Sequence, residues 1–79
     1  MIYDGNINDI MKVIEHIKID YDISNMDIAK GMGKSKQTVS NLLNGQTGNI
    51  TLNTLVALCD AVGCELHIDI KRKEWRLRG

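Results

Sequence analysis

The chain has 79 residues, no net charge and 43% hydrophobic residues, so it can form one small domain with a modest core. It is too short for a catalytic cleft between two lobes, has no apolar run long enough to cross a bilayer, and lacks the basic and apolar regions of a signal peptide at its N-terminus. Cysteine and histidine do not occur at zinc-ligand spacing, and there is no phosphate-binding loop or nucleophile elbow. These features predict a cytoplasmic protein that is not an enzyme and needs no metal or cofactor.

Apolar residues recur at helical spacing early in the chain, after a weakly ordered lead of residues 1–5. They are Ile7, Ile10, Met11, Ile14 and Ile17. Asn6 or Asn8 can cap this first helix, and Asp9 is favourable in its first turn. We expect the helix to end near Asp20.

Two short helical patterns meet at Gly33 within residues 24–44. Ser24 can accept a hydrogen bond from a free backbone N–H while the Asp27 carboxylate reaches back, which is the capping box that begins a helix. Two helices joined by a short turn that contains glycine predict a helix-turn-helix.

The second of these helices begins at Ser35 and ends at Asn44-Gly45, where glycine enters the left-handed conformation at little cost. Its apolar stripe consists of Val39, Leu42 and Leu43. Its opposite face consists of Lys36, Gln37, Ser40 and Asn41. Amide and ammonium groups suit the edges of bases in a major groove, so we predict that this face reads DNA sequence. The alternative is a plain helical hairpin with a solvated polar face.

Groups suited to phosphates flank this helix. The N-termini at Ser24 and Ser35 offer free N–H donors, and Lys34 adds a positive charge. The loop after the helix contains two glycines and amide side chains, and its predicted phosphate contacts are Gln46, Thr47 and Asn49. An ordinary turn is an equal alternative for that loop.

A last helix is predicted from Thr51, with Gly63 as its stop. Its apolar face is broad, which predicts that it closes the core. This face consists of Leu52, Leu55, Val56, Leu58, Cys59 and Val62. Cys59 is expected to be a reduced core residue.

The period changes to two after Gly63, because Leu66, Ile68 and Ile70 alternate with polar residues. This alternation predicts a strand with one buried face, and a strand needs a partner. The partner is either the same strand of a second copy, which would make a homodimer joined through residues 64–71, or the short lead at residues 1–3. The basic tail that follows can continue the strand, lie on the partner subunit or follow DNA phosphates.

Residues 7–63 closely resemble the Cro/C1-type helix-turn-helix domain of phage repressors and their bacterial relatives. The similarity rests on ISNMDIAKGMG and KSKQTVSNLLNG for the two motif helices and LNTLVALCDAVGCEL for the closing helix. It implies a mainly α, lambda-repressor-like bundle of four or five helices that binds double-stranded DNA as a dimer and represses transcription. It also implies a phosphate contact at the position of Asn25. The segment after the domain resembles the extension of some antitoxin repressors, in which paired strands hold the dimer together.

These observations predict one domain over residues 1–79, with a helical DNA-binding part at 6–63 and a dimerisation strand and basic tail at 64–79. The favoured function is a sequence-specific repressor that binds a palindromic operator as a homodimer. The main alternative is an antitoxin that also binds a toxin protein and regulates its own operon. A helical protein-interaction module without DNA binding and, last, an enzyme are weaker alternatives.

Overall fold

Four α-helices form the regular structure of the computed structural model, which describes residues 2–45 and 50–72. They are α1 (Ile7–Asp20), α2 (Asn25–Met32), α3 (Lys36–Leu43) and α4 (Leu52–Ala61). The predicted mainly helical class is confirmed, and α2 and α3 are the two predicted motif helices.

Each helix is preceded by an N-cap residue that the sequence predicted. The Asn6 side chain accepts from the Asn8 backbone N–H at 3.1 Å, and Thr51 Oγ1 accepts from the Thr54 N–H at the same distance. Such caps satisfy backbone donors that a helix leaves free in its first turn, and each stabilises the helix by about 1 kcal/mol.

Three of the helices end in the same way. A residue in the left-handed conformation follows the last turn: Asp22 (φ 54°) after α1, Gly33 (φ 67°) after α2 and Gly63 (φ 76°) after α4. The backbone N–H of the residue that follows it then donates to the carbonyl oxygen five positions earlier in the chain. These bonds run from Ile23 N to Lys18 O, from Lys34 N to Ala29 O and from Cys64 N to Cys59 O, each 2.9 Å long. This is the Schellman ending, and it explains why Gly33 was correctly predicted as the turn between two helices and Gly63 as a helix stop.

The core lies between α2, α3 and α4, with α1 packed on α3. Ile28, Val39 and Leu58 are fully buried at its centre. The remaining core residues are Met11, Ile14, Ala29, Leu42, Leu43, Leu55, Cys59 and Val62. The predicted stripes of α1 and α3 are therefore confirmed, because Ile7, Ile10 and Ile17 also pack against this core.

The broad apolar face predicted for α4 is only partly correct. Leu55 and Leu58 are buried, whereas Leu52 is 62% exposed and Val56 is 43% exposed. Among the helices of the described residues, α4 makes its main contact with α2 alone. One neighbouring helix covers a single stripe, so the two residues at the edge of the predicted face remain in solvent.

The strand predicted after Gly63 is not present in the described part of the chain, since residues 64–72 have no regular secondary structure. Leu66 packs against the core, but Ile68 is 60% exposed and Ile70 is 92% exposed. Ile2 is 92% exposed and forms no ladder with this segment, so pairing with the N-terminal lead does not occur there. A strand requires a hydrogen-bonded partner, and a single copy supplies none at these residues.

Candidate nucleic-acid interface

The turn between α2 and α3 sets the angle of the motif. Gly33 has φ 67° and ψ 32°, and the Lys34 N–H bonds back to Ala29 O at 2.9 Å. The chain then enters α3 at Ser35, whose Oγ accepts from the Thr38 N–H at 3.1 Å. Gly33 and Ser35 thus end one helix and begin the next within three residues, which is the geometry of a helix-turn-helix.

Burial separates the two faces of α3. Val39 is fully buried against the core, and Leu42 and Leu43 are each 7% exposed. On the other side, Lys36 and Gln37 are exposed, and Ser40 and Asn41 are half-buried. The four residues predicted to read bases therefore share a surface that the core does not use. Contact between these four residues and DNA remains a prediction.

Two side-chain hydrogen bonds organise this polar surface. Gln37 Nε2 donates to Asn41 Oδ1 at 3.0 Å, one helical turn away. Asn25 Nδ2 donates to Ser40 Oγ at 3.5 Å and so connects the first turn of α2 with α3. The sequence did not predict this second contact, because fifteen residues separate Asn25 from Ser40 and no local pattern relates them.

The family-model comparison matches residues 13–67, more than half of the chain, to the Cro/C1-type helix-turn-helix DNA-binding domain. The chain belongs to this family. The Cro/C1-type domain identifies it as a DNA-binding regulator of transcription, and it covers α2, the turn, α3 and α4 together. No curated protein matches the chain significantly. No solved structure does so either.

The N-terminus of α2 in this Cro/C1-type domain is already occupied by a carboxylate. Ser24 N donates to Asp27 Oδ2 at 3.2 Å, while Ser24 Oγ accepts from Asp27 N at 3.0 Å. The Ser24 backbone N–H is the main cause of a lowered Asp27 pKa, and the Ser24 hydroxyl and the Lys30 charge lower that pKa further. Asp27 is therefore ionised at neutral pH, and its charge opposes a phosphate at Ser24.

The N-terminus of α3 has no such carboxylate. Its first turn contains no acidic residue, and Lys34 and Lys36 are exposed beside it. Among the described residues, neither lysine lies within 4.0 Å of a carboxylate oxygen. Of the two predicted helix N-termini, the one at Ser35 is therefore the more favourable for an anion.

Asn25 has one further property. Its Oδ1 atom is buried and has no hydrogen-bond partner among the described residues. A buried amide oxygen without a partner is destabilising unless a donor reaches it. The position predicted to contact phosphate therefore also has a role within the protein, between α2 and α3.

The remaining predicted phosphate contacts, Gln46, Thr47 and Asn49, lie outside the described residues. Within the described ranges, His, Cys, Asp and Glu form no group of three that could hold a metal ion. None of the four helices is both long and apolar enough to span a membrane.

Proposed function

We propose that this regulator is a repressor that binds a palindromic operator as a homodimer, with α3 in the major groove of each half-site. The observation that supports it best is the polar surface of α3, on which Gln37 and Asn41 are hydrogen-bonded to each other at 3.0 Å. This bond restricts two flexible amide side chains before DNA arrives, so less side-chain entropy is lost on binding.

Gln37 retains the groups that read adenine. One N–H of its amide donates to Asn41. No other residue of the described ranges bonds its second N–H or its Oε1 atom, and these groups suit N7 and N6 of the base. Lys36 lies next to it at the start of the helix, where its ammonium suits the acceptors of guanine. Ser40 and Asn41 complete the proposed base-reading set one turn later.

Phosphate contacts are proposed on both sides of this helix. The Ser35 N-terminus and Lys34 carry the strongest support, because no carboxylate of the described residues opposes an anion there. Asn25 is proposed to donate to a phosphate from the first turn of α2. The proposed set also includes the loop residues Gln46, Thr47 and Asn49, and Ser24, where the Asp27 charge weakens the attraction for a phosphate.

The decisive experiment selects bound duplexes from a random pool, first with the unmodified protein and then with Gln37→Ala. Loss of a paired contact to one base should cost about 1–3 kcal/mol, or about 5- to 150-fold in affinity, and relax the preference at one position of each half-site. His16→Ala is the matched control, because His16 is an exposed polar residue on α1 that belongs to neither motif helix. A Gln37→Ala variant that selects the same sequence with the same strength would contradict the proposed role.

The homodimer is proposed through residues 64–71. Ile68 and Ile70 are large apolar side chains in solvent at 60% and 92% exposure, and the alternating pattern around them suits a two-stranded ribbon between two copies. Two linked domains can occupy half-sites about 34 Å apart, one turn of DNA, and the second contact then gains from a high effective concentration.

Sedimentation of two variants tests the dimer. Ile68→Asp should produce monomers and sharply weaken operator binding without unfolding the helices. Ile19→Asp is the matched control, because Ile19 is also exposed, at 71%, but lies on α1 outside the proposed ribbon. Monomeric sedimentation of the unmodified protein well above its DNA-binding concentration range would refute the dimer.

The antitoxin alternative stays a prediction, and no contact in the described residues favours it over a repressor. It requires a toxin protein that co-purifies with the chain. Repression of a promoter that contains the selected operator, in cells without any such protein, would support the repressor.

A further inference from the structure

The C-terminal end of α4 brings the two cysteines of the chain together. Gly63 N donates to Asp60 O at 3.0 Å and Cys64 N donates to Cys59 O at 2.9 Å, which are the two bonds of a Schellman ending. In this motif the side chains of the two outermost residues commonly contact each other. At the end of α4 these outermost residues are both thiols, Cys59 and Cys64, and both are free.

The hydrogen bond also limits the distance between them. Bond lengths place a Cα atom about 2.4 Å from its own carbonyl oxygen and about 1.5 Å from its own nitrogen. With a 2.9 Å hydrogen bond between Cys64 N and Cys59 O, the two Cα atoms cannot lie farther apart than about 6.8 Å. Native disulfides span about 4.4–6.8 Å between Cα atoms, so this upper limit does not exceed the distance that a disulfide can bridge.

The two thiols differ in access. Cys59 is 8% exposed in the core, whereas Cys64 is half-buried beside a shallow groove that Tyr21, Ile23 and Ala61 also line. Burial raises the pKa of the Cys59 thiol, and the neighbouring Cys64 and Asp60 raise that pKa further. An oxidant therefore meets Cys64 first, and Cys59 is the thiol that follows.

We propose that Cys59 and Cys64 are a modification site at which a peroxide forms a reversible intramolecular disulfide. The Cys64 sulfur attacks one peroxide oxygen and the O–O bond breaks. Cys64 becomes a sulfenic acid, and the other peroxide oxygen is released as water. The Cys59 sulfur then attacks the Cys64 sulfur, the S–S bond forms, and the S–O bond breaks with release of a second water that takes the Cys59 proton. Two thiols are oxidised by two electrons, and hydrogen peroxide is reduced to two waters.

The disulfide would close a ring from Cys59 to Cys64 that contains the whole end of α4. Residues 65–72 follow Cys64 directly, so the bond also fixes the point at which this segment begins. The ring restricts the unfolded chain, and the oxidised protein should therefore melt several degrees above the reduced protein. This inference does not depend on DNA binding or on the proposed dimer.

Mass spectrometry tests it directly on the full chain treated with hydrogen peroxide. Trypsin releases residues 37–71 as one peptide that contains both cysteines and no methionine, so oxidation of methionine cannot obscure the result. We expect this peptide to become lighter by two hydrogens, to resist alkylation, and to recover both thiols with dithiothreitol. The rise in melting temperature should disappear with dithiothreitol and should be absent in Cys64→Ser.

Cys59→Ser provides the second control, since it leaves the accessible thiol without its partner. In this variant Cys64 should accumulate oxygen or join a second chain instead of forming an internal bond. The proposal is overturned if the peptide of the unmodified protein retains two alkylatable cysteines, gains oxygen, or is found cross-linked between two chains.

Discussion

The turn of the motif makes a quantitative prediction for Gly33→Ala. Apart from Gly33 and its two chain neighbours, no atom of the described residues lies within 4 Å of the position that a Cβ would occupy at Gly33, so a clash contributes nothing. The cost comes from φ 67°, where a side chain is disfavoured by about 1–2 kcal/mol. Alanine also lowers the conformational entropy of the unfolded chain, which offsets about 0.4–1 kcal/mol of this cost. The net loss should be about 1 kcal/mol, a substantial part of the roughly 4–12 kcal/mol typical of a chain of this size.

Urea unfolding followed by far-ultraviolet circular dichroism measures this loss. With a slope near 1 kcal/mol per molar urea, the midpoint should fall by about 1 M. Gly33→Asn should lose less, because Asn tolerates the left-handed conformation. Asp22 holds the same position after α1 with φ 54°, so Asp22→Gly should move the midpoint the opposite way. The reasoning is refuted if Gly33→Asn is as unstable as Gly33→Ala, or if Asp22→Gly destabilises the protein.

Three further predictions concern the core, the α2 cap and the phosphate contacts. Leu58→Ala should cost about 2–5 kcal/mol because Leu58 is fully buried, whereas Leu52→Ala, at a 62% exposed site on the same helix, should cost under about 0.5 kcal/mol by urea unfolding. Ionised Asp27 stabilises the cap because its pKa is lowered in the folded state; this stabilisation is complete above the ordinary aspartate pKa and is lost as the pH falls through the lowered value. Asp27→Asn and Ser24→Ala should both weaken this pH dependence in acid titrations of stability, and an unchanged titration would exclude the capping box as its cause. Lys34→Ala should weaken binding to all duplexes alike and lower the slope of log affinity against log salt by roughly one unit, whereas a loss confined to the preferred operator would make Lys34 a base reader.

Local chemistry explains why the helices could be predicted from the sequence. Ser24, Ser35 and Thr51 satisfy backbone donors within three residues of themselves, and Gly33 is needed for a left-handed backbone at one position. Caps and turn glycines depend on few neighbours in space, so they can be predicted without knowledge of the fold. The polar face of α3 was predictable for the same reason, because helical periodicity alone separates it from Val39.

The predictions that were wrong, and the contact that was missed, depended on neighbouring residues that a single sequence does not specify. Periodicity showed that Leu52 and Val56 could face a core, but the number of helices that cover α4 decides whether they do. The strand pattern at Leu66, Ile68 and Ile70 likewise describes a segment that could pair, whereas formation of the strand requires a hydrogen-bonded partner. The contact between Asn25 and Ser40 requires the packed angle of α2 and α3.

The most direct test of the central claim is an NMR titration of the labelled protein with its selected operator duplex. The account predicts that the largest amide shifts occur at residues 35–41, with smaller shifts at Asn25 in the first turn of α2. The amides on the exposed face of α1, including that of His16, should change little. Shifts concentrated on α1 or α4, with α3 unaffected, would contradict recognition through the polar face of α3.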